Sequence, residues 1–158
     1  MRLLLSILSL FCFFWIDGLV VLVAKDAITT VTLNGKGMVV KKQEVEMIHV
    51  EGKAEGYITG TFVWEEKHGL APEPEEAVEK GTITITDRNG DTILLNFSGR
   101  ADLKSAGKAT LESAQGNFIY REGTGHWANL PLSGDYTKAG VFKDDSVELS
   151  ITLTVEVD

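Results

Sequence analysis

The chain has 158 residues, with 15 basic and 23 acidic side chains and a net charge of −8 at pH 7. That balance argues against nucleic acid or an anionic membrane surface as partner, because either requires a basic face. Its single cysteine, Cys12, excludes an intrachain disulfide.

Residues 3–24 are almost wholly apolar, follow a single Arg2 and are interrupted only by Ser6, Ser9, Asp17 and Gly18. The segment reads as a secretory leader, with residues 3–16 as its apolar region and Gly18 or Ala24 as a small residue for cleavage. Neither cleavage point is ideal, since Ile16 or Leu22 stands two residues earlier. The alternative is an uncleaved anchor, which is long enough for a bilayer core of roughly 30 Å. It would hold Asp17 near mid-membrane at about 3 kcal/mol. Residues 1–24 are therefore assigned to the leader or anchor and residues 25–158 to one domain. The domain would be periplasmic or extracellular, or tethered if the leader stays. Arg2 and Asp17 cancel, so the domain keeps the charge of −8, and Cys12 leaves with a cleaved leader.

Beyond Ala27 a period of two dominates, and no window carries an apolar stripe at helical spacing. Strands are expected over residues 28–33, 38–50 and 57–65; in the last of these Ile58, Phe62 and Trp64 share a face and Gly60 marks a bend. Residues 66–79, with Pro72, Pro74 and several glutamates, read as a loop or lid over one mouth. Next comes a hairpin over residues 81–97. A two-residue turn on Asn89-Gly90 would mix apolar and polar side chains on each face. A type I turn starting at Asp87, with Gly90 in a left-handed bulge, pairs Ile85 with Ile93 and Ile83 with Leu95 and keeps one face apolar. Asn96-Phe97-Ser98 matches a glycosylation acceptor but falls inside this strand.

Residues 104–107 and 138–140 read as connectors, and residues 109–113, 117–121 and 126–136 as strands. At the C-terminus Val147, Leu149, Ile151, Leu153, Val155 and Val157 alternate with polar residues. A strand this long cannot stay an open edge without inviting aggregation. The expected fold is therefore all-β: a single closed antiparallel barrel of eight (or nine) strands.

Gly116-Asn117-Phe118-Ile119-Tyr120, the turn Gly123-Thr124-Gly125 with His126-Trp127-Ala128-Asn129-Leu130, and Ser133-Gly134-Asp135-Tyr136 form a further pattern. Over residues 57–136 the chain resembles the allene oxide cyclase-like barrels and a related family of uncharacterised bacterial proteins. The resemblance implies an eight-stranded barrel, and a binding or cyclase activity toward a lipid-like molecule. It carries no catalytic residue across.

The hairpin around Gly123 offers the candidate site. A four-residue loop over 122–125 would pair Arg121 with His126 and Tyr120 with Trp127. Phe118, Tyr120, Trp127 and Asn129 would then share one face, and Ile119, Arg121, His126, Ala128 and Leu130 the other. The first set makes an aromatic wall with one phenol and one amide, suited to an apolar ligand carrying one polar group; the plainer alternative is core packing. Trp64 joins this lining set, and Arg121 with His126 could bind a carboxylate. Glu65, Glu66 and His68 could be an acid/base pair with a histidine, but charged residues at a strand exit are expected to be solvated. The three histidines lack the spacing of a zinc site, so neither metal nor cofactor is expected. No nucleophile elbow or phosphate loop is present.

These observations point to an exported barrel that binds a small apolar or lipid-like molecule in its interior, without catalysis. Two alternatives stand beside it: an isomerase or cyclase acting by conformational control, and a structural or interaction barrel with no ligand. Barrels of this size often associate, so an oligomer is compatible with the sequence.

Overall fold

The computed structural model describes residues 27–42, 45–68, 76–130 and 132–157. The leader (1–24) and the central part of the expected lid (69–75) lie outside the described residues. Eight strands follow in chain order: β1 (Ala27–Lys42), β2 (Val45–Gly56), β3 (Gly60–His68), β4 (Glu76–Asp87), β5 (Thr92–Ala106), β6 (Ala109–Gly123), β7 (Leu132–Lys143) and β8 (Ser146–Val157). Each pairs antiparallel with its chain neighbours, and β1 pairs with β8 from Ala27↔Val157 to Met38↔Ser146, which closes the barrel. Closure removes the edge that β8 would otherwise present. Among the described residues no helix is long and apolar enough to cross a membrane.

The inward side of each strand is set by alternation. Val147, Leu149, Ile151, Leu153 and Val155 on β8, and Val31 and Leu33 on β1, are buried, while their neighbours in sequence face outward. A barrel of this size is filled by its own side chains, and Phe62, Trp64, Ile83, Ile85, Ile93, Leu95 and Phe118 take up its middle. Each fully buried aliphatic or aromatic side chain contributes about 1.5–3 kcal/mol.

The bulged hairpin is formed as expected. Ile85 pairs with Ile93 and Ile83 with Leu95; the Gly90 N–H donates to the Asp87 carbonyl at 3.1 Å and the Asp87 N–H to the Asp91 carbonyl at 2.9 Å. Gly90 has φ +89° with open space where a side chain would begin. Gly90→Ala should therefore cost about 1 kcal/mol through backbone conformation alone, read as a lower urea midpoint at unchanged slope; an unchanged midpoint would argue against the bulged turn.

Four local expectations are corrected. Residues 38–50 are not one strand: β1 ends at Lys42 and β2 begins at Val45. Residues 109–113 and 117–121 are one strand, β6, because Gly116 continues the ladder between them, opposite Gly99 and Tyr136. Residues 104–106 and 138–140 belong to strands, since β5 runs to Ala106 and β7 to Lys143, and only Gly107 of the two stretches lies in a turn. Finally, the pairs Arg121–His126 and Tyr120–Trp127 do not form. The β6–β7 ladder stops at Ile119↔Ser133, β6 shifts register against β5 around Arg121, and residues 125–127 make one 3-10 turn. Trp127 is drawn into the core instead.

Strand direction sorts the connections to two ends. The upper end carries the β2–β3, β4–β5 and β6–β7 connections with both ends of the described chain, and the lower end carries the β1–β2, β3–β4, β5–β6 and β7–β8 connections.

Candidate functional site

Four charged residues project into the barrel from four strands. Trp64 and Glu66 are two apart on β3 and therefore share its inner face; Glu79 on β4, Glu112 on β6 and Lys138 on β7 hold the same phase as their apolar neighbours. All four charged side chains are sealed from solvent, with side-chain exposures of 0%. The Lys138 ammonium donates to Glu66 Oε2 at 2.7 Å and to Glu79 Oε2 at 2.5 Å, and lies 3.1 Å from Glu112 Oε1. The Trp64 indole N–H donates to Glu66 Oε2 at 2.8 Å, and the Tyr136 hydroxyl donates to Glu79 Oε1.

An aromatic box surrounds the ions. Trp64 stacks on Phe97 with centroids 3.8 Å apart, Tyr136 meets both rings edge-on, and the ammonium sits 5.4 Å from the Trp64 ring. Tyr136 reaches Glu79 across two strands because Gly116 and Gly99 stand in its way with no side chain. A Cβ on Gly99 would lie 2.3 Å from the Tyr136 hydroxyl, and one on Gly116 2.8 Å from its ring.

Among the described residues three carboxyl groups share one ammonium, so full ionisation would leave an excess of negative charge in a dry place. Burial, with help from Glu66, pushes the Glu79 carboxyl up to about 7 against the pull of Lys138 and Tyr136. Burial alone would lower Lys138, but Glu66, Glu112 and Glu79 outweigh it and raise its pKa above the ordinary lysine value. The Tyr136 phenol is likewise raised, by burial and by Glu79. Glu66, Glu79 and Glu112 are close enough to share a metal ion, but Lys138 already supplies the cation.

The expectation that Glu66 is a solvated strand-exit residue is overturned, because β3 continues past it and its alternation turns it inward. Glu65 does face outward and lies 3.7 Å from His49. The His68 backbone belongs to β3 and residues 76–79 to β4, so both ends of the expected 66–79 break are strand.

The residues singled out around Gly123 gather at the upper end, apart from the ion network. Phe118 is buried, and Tyr120 is half-buried with its hydroxyl 2.9 Å from the carbonyls of Trp127 and Ala128. Trp127 is 6% exposed and donates its indole N–H to Asp87 Oδ2 at 2.9 Å. Arg121, His126 and Asn129 are exposed, so Asn129 does not join the aromatic wall. His126 Nδ1 lies 3.0 Å from Asp91 Oδ2 and 3.8 Å from Asp87 Oδ2. The Trp127 indole, with the N–H groups of Asn89 and Asp91, holds the Asp87 carboxyl below its usual range. These bonds pin the β6–β7 connection onto the β4–β5 turn and cover the upper end. Of the residues expected to line a ligand site, Trp64 alone belongs to the ion network.

The lower end holds a pocket of about 250 Å³ between Val39, Ile48, Leu103 and Phe142, with Thr110 and the carboxylates of Glu46, Asp144 and Asp145. Ile48 is the register partner of Glu66, and Thr110 is the next inward position after Glu112. The pocket therefore lies one step outside the buried network. Comparison of the chain with protein-family models, curated proteins and solved structures gives no match.

Proposed function

We propose that this chain is an exported barrel that binds a small molecule at its lower mouth, the molecule having an apolar body and a cationic end. The carrying observation is the composition of that mouth. Four apolar side chains wall the pocket, three carboxylates border it, and none of its described lining residues is basic. Small-ligand sites combine apolar walls with a few polar groups in this way. Packed side chains take up the barrel middle, so the ligand is assigned to the mouth and not to the centre. Export is supported by the apolar residues 3–24 behind Arg2.

The test is a thermal-shift and calorimetric comparison of decylamine, decanol and decanoate below their aggregation thresholds. Decylamine should raise the melting temperature saturably, decanol less and decanoate least, and Phe142→Ala should weaken decylamine binding roughly tenfold. Equal shifts by decanoate would remove the charge assignment; no saturable binding by any of the three would remove the site.

One observation favours the isomerase reading as a second: the Glu79 carboxyl, held at about 7 and bonded to Tyr136, lies in the network beneath that mouth. It predicts deuterium exchange from solvent into a bound unsaturated ketone, lost in Glu79→Gln while binding persists. Exchange that survives the substitution would sink it.

A further inference from the structure

The outer surface of β3–β6 carries a groove of about 470 Å³ remote in character from the acidic mouth. Lys67 on β3 and Lys80 on β4 are direct register partners, so their side chains leave the sheet side by side. Like charges placed opposite each other are destabilising. In a chain of net charge −8 a carboxylate partner for each would be easy to supply. Yet neither ammonium makes an ion pair among the described residues. From Lys80 the row continues through Ser98 to Asn117, and the adjacent row runs from Glu65, whose carboxylate lies toward His49, through Thr82 and Asn96 to Ile119, whose side chain is 59% exposed. Asn117, which also lines the groove, gives one amide N–H to Asp135 at 2.5 Å and has a second N–H and a carbonyl oxygen to offer a ligand.

We propose that this groove binds a small anionic polyol, a sugar bearing one carboxylate or phosphate. The anion sits between the two ammonium groups, where it replaces a repulsion with two charge-assisted bonds. The hydroxyl groups meet the short alcohols and amides of Thr82, Ser98, Asn96 and Asn117, and Ile119 covers an apolar ring face. This site is independent of the mouth and its ligand.

The experiment titrates the purified protein with glucuronate, glucose 6-phosphate and glucose at fixed ionic strength, following backbone amide shifts by NMR. Saturable shifts at Lys67, Lys80, Thr82, Asn96 and Asn117 are expected with one or both anionic sugars and not with glucose; which of the two binds separates carboxylate from phosphate. The double variant Lys67→Gln/Lys80→Gln, which relieves a repulsion and should fold at least as well, should weaken binding roughly tenfold or more. Equal shifts with glucose, equal shifts with sodium acetate, or undiminished binding by the double variant would overturn the proposal. So would the absence of any saturable shift.

Discussion

Replacing Lys138 with methionine should destabilise the barrel by about 3–5 kcal/mol at neutral pH, because breaking a buried ion cluster by removing one partner leaves the others uncompensated. Methionine fills similar space, so the loss reports charge more than volume. Glu66, Glu79 and Glu112 would remain sealed without the Lys138 ammonium beside them, and protonation relieves their charge. The deficit of the variant should therefore shrink as the pH falls and widen as it rises. Urea denaturation of both proteins at pH 5 and pH 8 measures this; an equal deficit at the two values would mean that the cluster is not held together by charge. If the variant does not fold at pH 8, recovery of a cooperative transition at pH 5 makes the same test.

The unaltered protein should show a milder form of the same dependence. Glu79 has a folded value of about 7 against an ordinary 4.5, mainly because it is buried. A carboxyl raised on folding contributes stability that is complete below its unfolded value and lost as the pH rises through its folded value. From about pH 4.5 to 7 the contribution of this group should thus decline, by about 3 kcal/mol if the other groups stay fixed. Asp87 acts in the opposite direction. Its lowered value contributes stability above the ordinary aspartate range, lost as the pH falls through the folded value. The optimum should therefore lie on the mildly acidic side, and Glu79→Gln should flatten the decline above pH 4.5.

The second large effect is expected at the upper end. Trp127→Ala should cost about 3–5 kcal/mol, the range for removing a buried aromatic ring, and should speed amide exchange over residues 124–130. Trp127→Phe separates packing from bonding. It keeps a ring beside Tyr57, whose centroid lies 6.1 Å from that of Trp127, and removes the indole N–H that Asp87 accepts. Asp87 should then titrate nearer its ordinary range, and the gap between wild type and Trp127→Phe should narrow as the pH falls through that range. A gap independent of pH would show that the indole bond does not set the Asp87 carboxyl.

The closed barrel and the β4–β5 register were legible because both follow from alternation alone. One slip in the hairpin would expose Ile83, Ile85, Ile93 and Leu95, so a single pairing survives. The ion network was equally present in the alternation but was obscured by its charge. Glu66 follows Phe62 and Trp64 in phase, Glu79 precedes Gly81, Ile83 and Ile85, Glu112 precedes Ala114 and Phe118, and Lys138 follows Leu132 and Tyr136. A break over 66–79 and a connector over 138–140 put Glu66, Glu79 and Lys138 outside the strands, while Glu112 falls inside the expected strand 109–113. Carrying the phase through them puts three acids and one base in a common interior, where the ammonium offsets only part of the acidic charge. The path of residues 124–130 is a different case. It depends on bonds from Trp127 and His126 to Asp87 and Asp91, some 35 to 40 positions away, and no local pattern encodes them.

Ala27 and Val157 are partners in the seam that joins β1 to β8, and this has a geographic consequence. The polypeptide enters at the Trp127 end, opposite the acid-bordered opening. Were residues 3–24 kept in a lipid bilayer, the capped end would be turned toward the headgroups, and the opening would look away into the surrounding fluid, free to sample solutes.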